Sequence, residues 1–226
     1  SGTVPSGTNW GDYLYWNNNS SSWVIGSSKI TLGQNAGKTN QGTNTVALGI
    51  QSGNANQGNS SIAIGDSAGY TGQSGIAIAI GTQAGYSRQG FASIALGNAS
   101  AQYVQGQYSV AIGYLTGQSK QGDYSVAIGG ESGMQTQGSN AVALGFRAGS
   151  YSQGSKAIAI GLNAGQYTQL DNTIAIGIGA GQINQGGIAI GENSGASTQG
   201  QFGISIGFNS AVSSQGAASV ALGAFS

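Results

Sequence analysis

A glycine returns every sixteen residues along almost the whole chain, at Gly33, Gly49, Gly65, Gly81, Gly97, Gly113, Gly129, Gly145, Gly161, Gly177, Gly191, Gly207 and Gly223. One step, Gly177 to Gly191, is fourteen. A glutamine keeps the same beat at Gln41, Gln57, Gln73, Gln89, Gln105, Gln121, Gln137, Gln153, Gln169, Gln185, Gln199 and Gln215, and its only short step is Gln185 to Gln199. The missing pair therefore falls after Gln185 and before Gly191. A repeat this short cannot be an independent domain, so the period marks a stack of identical units.

Aligned on the glycine, each column describes one position of a structural turn. Three residues before it stands Ile or Val in all thirteen copies, and one before it Ile or Leu in all thirteen. Between them lies Ala in eleven, with Thr31 and Ser205 as exceptions. Alternation with period two in a short β-branched run bounded by Gly predicts a strand. A polar arm then leads to the Gln, with turns at the two Gly-rich places. Two large aliphatics give about 1.5–3 kcal/mol each on burial, against roughly 1–2 kcal/mol of backbone entropy per fixed residue. Stacking on identical neighbours has to supply the difference. The expectation is an all-β, parallel β-solenoid of about twelve turns over 29–226, preceded by an aromatic cap or connector over 1–28.

In-register stacking turns each column into a ladder of like side chains. A buried amide can donate to and accept from its copy one turn away, so the Gln row is expected inside as a structural ladder. Lys38, Arg88 and Lys120 lie on the opposite parity of that arm and are expected outside. The pair expected to face the core is Ile/Val with Ile/Leu, which sends the Ala between them outward. That row is Ala47, Ala63, Ala79, Ala95, Ala111, Ala127, Ala143, Ala159, Ala175, Ala189 and Ala221. It carries no charge, and a flat strip of small apolar groups is expected to pack against a second chain or an ordered surface such as ice. Tyr70/Tyr86, Tyr108/Tyr124 and Tyr151/Tyr167 share columns in adjacent turns and are expected to stack on each other. Tyr70 and Tyr86 are also the candidate glycan contacts. Trp10, Trp16 and Trp23 all fall in the first 28 residues, where a solenoid end needs covering; an aromatic binding patch is the other reading.

Composition narrows the chemistry. The chain has no Cys and no His, which removes thiol nucleophiles, disulfides and the usual zinc ligands. Six cations balance six anions, so no basic footprint for nucleic acid exists. No apolar run is long enough to span a membrane as a helix. Asp66, Asp123, Glu131, Asp171 and Glu192 are scattered over turns and columns, which predicts no catalytic pair, metal site or cofactor. Low charge favours association.

The phrases SIAIGDSAG (61–69), SVAIGYLTG (109–117) and SVALGAFS (219–226) resemble the head repeats of YadA-like trimeric autotransporter adhesins; similar repeats look at home in fibres of phages and large viruses. The turn here is longer than the family's usual one, and the Gln row is not part of that motif. The resemblance implies a left-handed parallel β-roll, three chains side by side, and attachment to a host surface or matrix. The function expected is thus non-enzymatic: a rigid, trimeric spacer or adhesin head in an extracellular appendage or on a virion. Ice binding through the small-residue face and glycan binding are the alternatives.

Overall fold

The computed structural model describes residues 4–26 and 28–226. Among the described residues every regular element is a strand, and they build a parallel β-solenoid of about twelve turns. One wall is a thirteen-stranded sheet that starts at Lys29–Leu32, passes through Ile62–Ile64 and Val126–Ile128, and reaches Val220–Leu222. Its register never slips: Ile62 pairs with Ile78, Ala63 with Ala79 and Ile64 with Ile80. The opposite wall is the polar arm. It holds five two-residue strands, from Val104–Gln105 to Thr168–Gln169, and two more at Thr198–Gln199 and Ser214–Gln215. At a strand spacing of about 4.8 Å the twelve steps make a rod roughly 58 Å long.

The periodic glycine follows from the stacking. Gly65 turns the chain off the sheet with φ at +123°, and a Cβ there would lie 2.7 Å from the carbonyl oxygen of Gly81 in the next turn. Only a residue without a side chain accommodates both the dihedral and the close backbone. A second corner, just before the strand, uses left-handed residues of other types, including Tyr124 (φ 57°) and Asn140 (φ 59°). Each such residue costs about 1–2 kcal/mol in an L-amino acid. The stack offsets it, since the Tyr124 N–H donates to the Gln107 carbonyl at 2.9 Å and the Asn140 N–H to that of Asp123.

The interior corrects the expected orientation of the sheet. The row expected on the surface, Ala47, Ala63, Ala79, Ala95, Ala111, Ala127, Ala143, Ala159, Ala175 and Ala189, is fully buried inside the chain's own coil; Ala221, in the last strand, is half-buried. The cause is width. A Cβ placed on Gly69 of the facing wall would come within 3.3 Å of the Ala63 methyl, and one on Gly117 within 3.4 Å of Ala111. The coil there admits a methyl or, at Ser205, a hydroxymethyl that bonds Ser194 and the Ser210 carbonyl, but not a branched aliphatic side chain. Other inward positions are also short, such as Ala68, Ser52 and Thr116. The large aliphatics consequently point out, and the flat Ala strip on which an ice-binding reading rests is not a surface of this chain.

Glutamine fills the remaining width. From Gln57 to Gln215 the row is buried, and each side-chain amide crosses the coil to donate to the strand carbonyl eleven residues earlier, as in Gln73 Nε2 to Ile62 O at 2.8 Å. Contacts between successive amides occur at Gln73–Gln89, Gln105–Gln121, Gln137–Gln153 and Gln199–Gln215, each 3.1 Å. The ladder therefore ties wall to wall first and turn to turn second. Several Oε1 atoms, those of Gln57, Gln105 and Gln169 among them, have no partner.

The fourteen-residue turn keeps its strand in register, with Ile174 on Ile188 and Ala175 on Ala189. What it lacks is the left-handed corner: Asn172 (φ 60°) and Phe202 (φ 60°) hold that place in the turns before and after, while Gly186-Gly187 leads straight into Ile188. Gln185 then reaches the carbonyl of Gly187, two residues on, where Gln169 reaches that of Thr173, four residues on.

Before the solenoid, Tyr13–Asn17 and Ser22–Gly26 form an antiparallel hairpin. The Tyr13 hydroxyl accepts the Thr31 N–H at 3.0 Å and donates to the Lys29 carbonyl, which seats the hairpin on the first turn. Asp12 introduces it, accepting the N–H groups of Thr8 and Asn9 at 2.8 Å each. Those backbone bonds hold its carboxyl below the ordinary carboxylate range.

Candidate functional site

Turning Ala inward leaves two rows of aliphatic side chains on the outer face of the large sheet. One runs Ile62, Ile78, Ile94, Val110, Val126; the other runs Ile64, Ile80, Leu96, Ile112, Ile128; both continue through all thirteen strands. None of these residues is fully buried. Copies above and below shield each side chain, yet mid-stack Leu96 remains 39% exposed and Ile128 40%, so the opening is not confined to the ends. A third row borders them just past the corner glycine. It includes Ile50, Tyr114, Phe146, Leu162, Ile178 and Phe208, all exposed.

No charged residue stands in either strand row. The rows lie two residues apart, about 6.6 Å, and run about 58 Å along the rod. Monomeric proteins seldom leave a continuous apolar area of more than a few hundred Å² uncovered. Scattered exposed aliphatics are ordinary; an unbroken uncharged sheet face is not.

Other sequence candidates sit elsewhere. Lys38, Arg88 and Lys120 are exposed on the arm side. Glu131 and Arg147, one above the other in adjacent turns, make the one ion pair among the described residues at 2.7 Å. That contact holds the guanidinium above its usual range. Tyr70 and Tyr86 stack at 4.9 Å between ring centroids and 6° between planes; Tyr108/Tyr124 and Tyr151/Tyr167 do the same at 5.2 and 5.1 Å. Each ring thereby loses one face to its neighbour. Among the described residues no three carboxylates gather into a metal-binding group, and no helix is long and apolar enough to cross a membrane.

The outer rows were not singled out from sequence as a surface, although a signal for it is present. The Ala column barely varies, whereas one aliphatic column exchanges Ile and Val and the other Ile and Leu. Close-packed interiors register a change of one methylene, so the column that exchanges Ile for Val is the outer one, and the Ile/Leu column shares its parity. What the fold and face define is a class: a repeat solenoid with one apolar wall. No family model, curated protein or solved structure matches the chain.

Proposed function

We propose that this chain is a rigid, non-enzymatic fibre or adhesive-head module of an extracellular appendage or a virion, assembled side by side as a homotrimer through the outer face of its large sheet. The uncharged, unbroken aliphatic wall is the observation that carries this reading. Facing copies remove it from water, at about 25 cal/mol per Å² of apolar area covered. A periodic wall also meets its own copy in register, each aliphatic row filling the grooves of the next. The number three and a left-handed winding come from the resemblance to YadA-like heads. In such an assembly the hairpin covers the first turn of each coil, and the polar arms face outward with the exposed cations.

The experiment is the mass in solution. Light scattering of the purified chain is expected to give three times 22.3 kDa, about 67 kDa. A single chain across the micromolar range overturns the assembly.

A further inference from the structure

A cleft of about 590 Å³ lies between the hairpin and the first solenoid turns, a size suited to a small ligand. Trp16 and Trp23, cross-strand partners on the hairpin, line one side; Lys29, Lys38 and Gln41 line the other. The two indoles meet edge to face, with centroids 5.7 Å apart and planes at 76°, and each is half exposed (50% and 51%). In an edge-to-face pair the ring that presents its edge keeps both of its faces clear of the partner, whereas each stacked tyrosine gives up one. The Trp16 ring is also held in place, its Nε1–H donating to Asn18 Oδ1 at 2.8 Å.

Charge adds to this. No acidic residue occurs between Asp12 and Asp66, while Lys29 and Lys38 fall inside that interval. Neither lysine has a carboxylate partner among the described residues. Gln41 heads the glutamine row but breaks its rule: its buried Nε2 has no acceptor, whereas the next eleven amides each bond a strand carbonyl. An unpaired buried N–H₂ normally costs about 1–3 kcal/mol. Gln41 is among the residues that line the cleft, with its amide turned into the coil beside Gly37 and Thr31.

We propose that this cleft binds an acidic saccharide. An indole face stacks on the apolar face of a sugar ring, and the two ammonium groups meet its carboxylate or sulfate. The site lies within one chain and does not depend on side-by-side assembly.

All three tryptophans of the chain lie between residues 10 and 23, so tryptophan emission, excited apart from the ten tyrosines, reports on this end alone. Titration of the full chain with trigalacturonate and with a sulfated heparin disaccharide is expected to give a saturable change with at least one of them, identifying which anion is preferred. Affinity is expected to exceed that for neutral cellotriose by at least tenfold and to fall with added salt. By calorimetry, Trp23→Ala is expected to weaken binding at least tenfold. Lys38→Gln, which lies outside the hairpin and leaves Lys29 in place, is expected to reduce the preference over cellotriose without moving the melting temperature. Absence of saturation at millimolar acidic saccharide, equal affinity for cellotriose, or unchanged binding in both variants overturns the proposal. None of these results alters the mass in solution, so the two readings fail separately.

Discussion

Ala111 and Ile112 are adjacent on one strand and live in different environments. The Ala111 methyl is sealed between its copies at Ala95 and Ala127 and the backbone at Gly117. Ile112 stands on the outer wall, half-exposed, between Leu96 and Ile128. The inner wall is made of the smallest side chains and defines the coil; the outer wall carries the larger apolar groups and is free to meet something else. In this solenoid, size and burial are inversely related along the strand.

Substitutions that reverse the two walls have graded effects. Ala111→Leu forces three heavy atoms against the facing backbone and is expected to cost about 3 kcal/mol, the upper range for overpacking, seen as a large fall in melting temperature. If the variant melts like the parent, the inner wall is not as narrow as described. Gln121→Leu keeps the volume but removes the amide that donates to the Val110 carbonyl at 2.8 Å. It also strips Gln105 of its side-chain acceptor. A loss of about 2 kcal/mol in denaturant melts is expected for the buried groups left unpaired; a neutral result would mean the glutamines only fill space. The smallest effect belongs to the corner. Inserting Asp-Asn between Gly186 and Gly187 restores sixteen residues, and its expected effect is within about 1 kcal/mol, because it lengthens an outer bend and leaves the register untouched. Large destabilisation there would show that the short turn is itself a structural requirement.

The same contrast explains what could be read from the residues alone. Period, register, parallel stacking, the inward Gln row and the paired tyrosines all follow from columns that repeat. Which wall faces inward does not follow from alternation, because a period-two pattern is unchanged when the strand is turned over. The general rule that large apolar residues are buried then favours the wrong wall. The deciding quantity is the width of the coil, and it depends on how close the arm at Gly69 and Gly117 comes to the strand. Neighbouring columns of Ala, Ser and Gly record that closeness. Gln41 was legible only as one member of a row; its free amide becomes visible once the hairpin and first turn are in place.

The central claim is that the aliphatic wall is an assembly surface and not a core. Sedimentation velocity on the parent and on the double variant Ile112→Lys/Leu144→Lys, whose charges stand two turns apart on the outer wall, tests it most directly, with melting temperature followed on the same samples. The account predicts a three-chain species for the parent. For the variant it predicts a single chain with its solenoid circular-dichroism spectrum retained, because lysine on an outer wall remains in water. An unfolded variant would contradict it by placing those side chains inside, and so would a parent that sediments as one chain at every concentration.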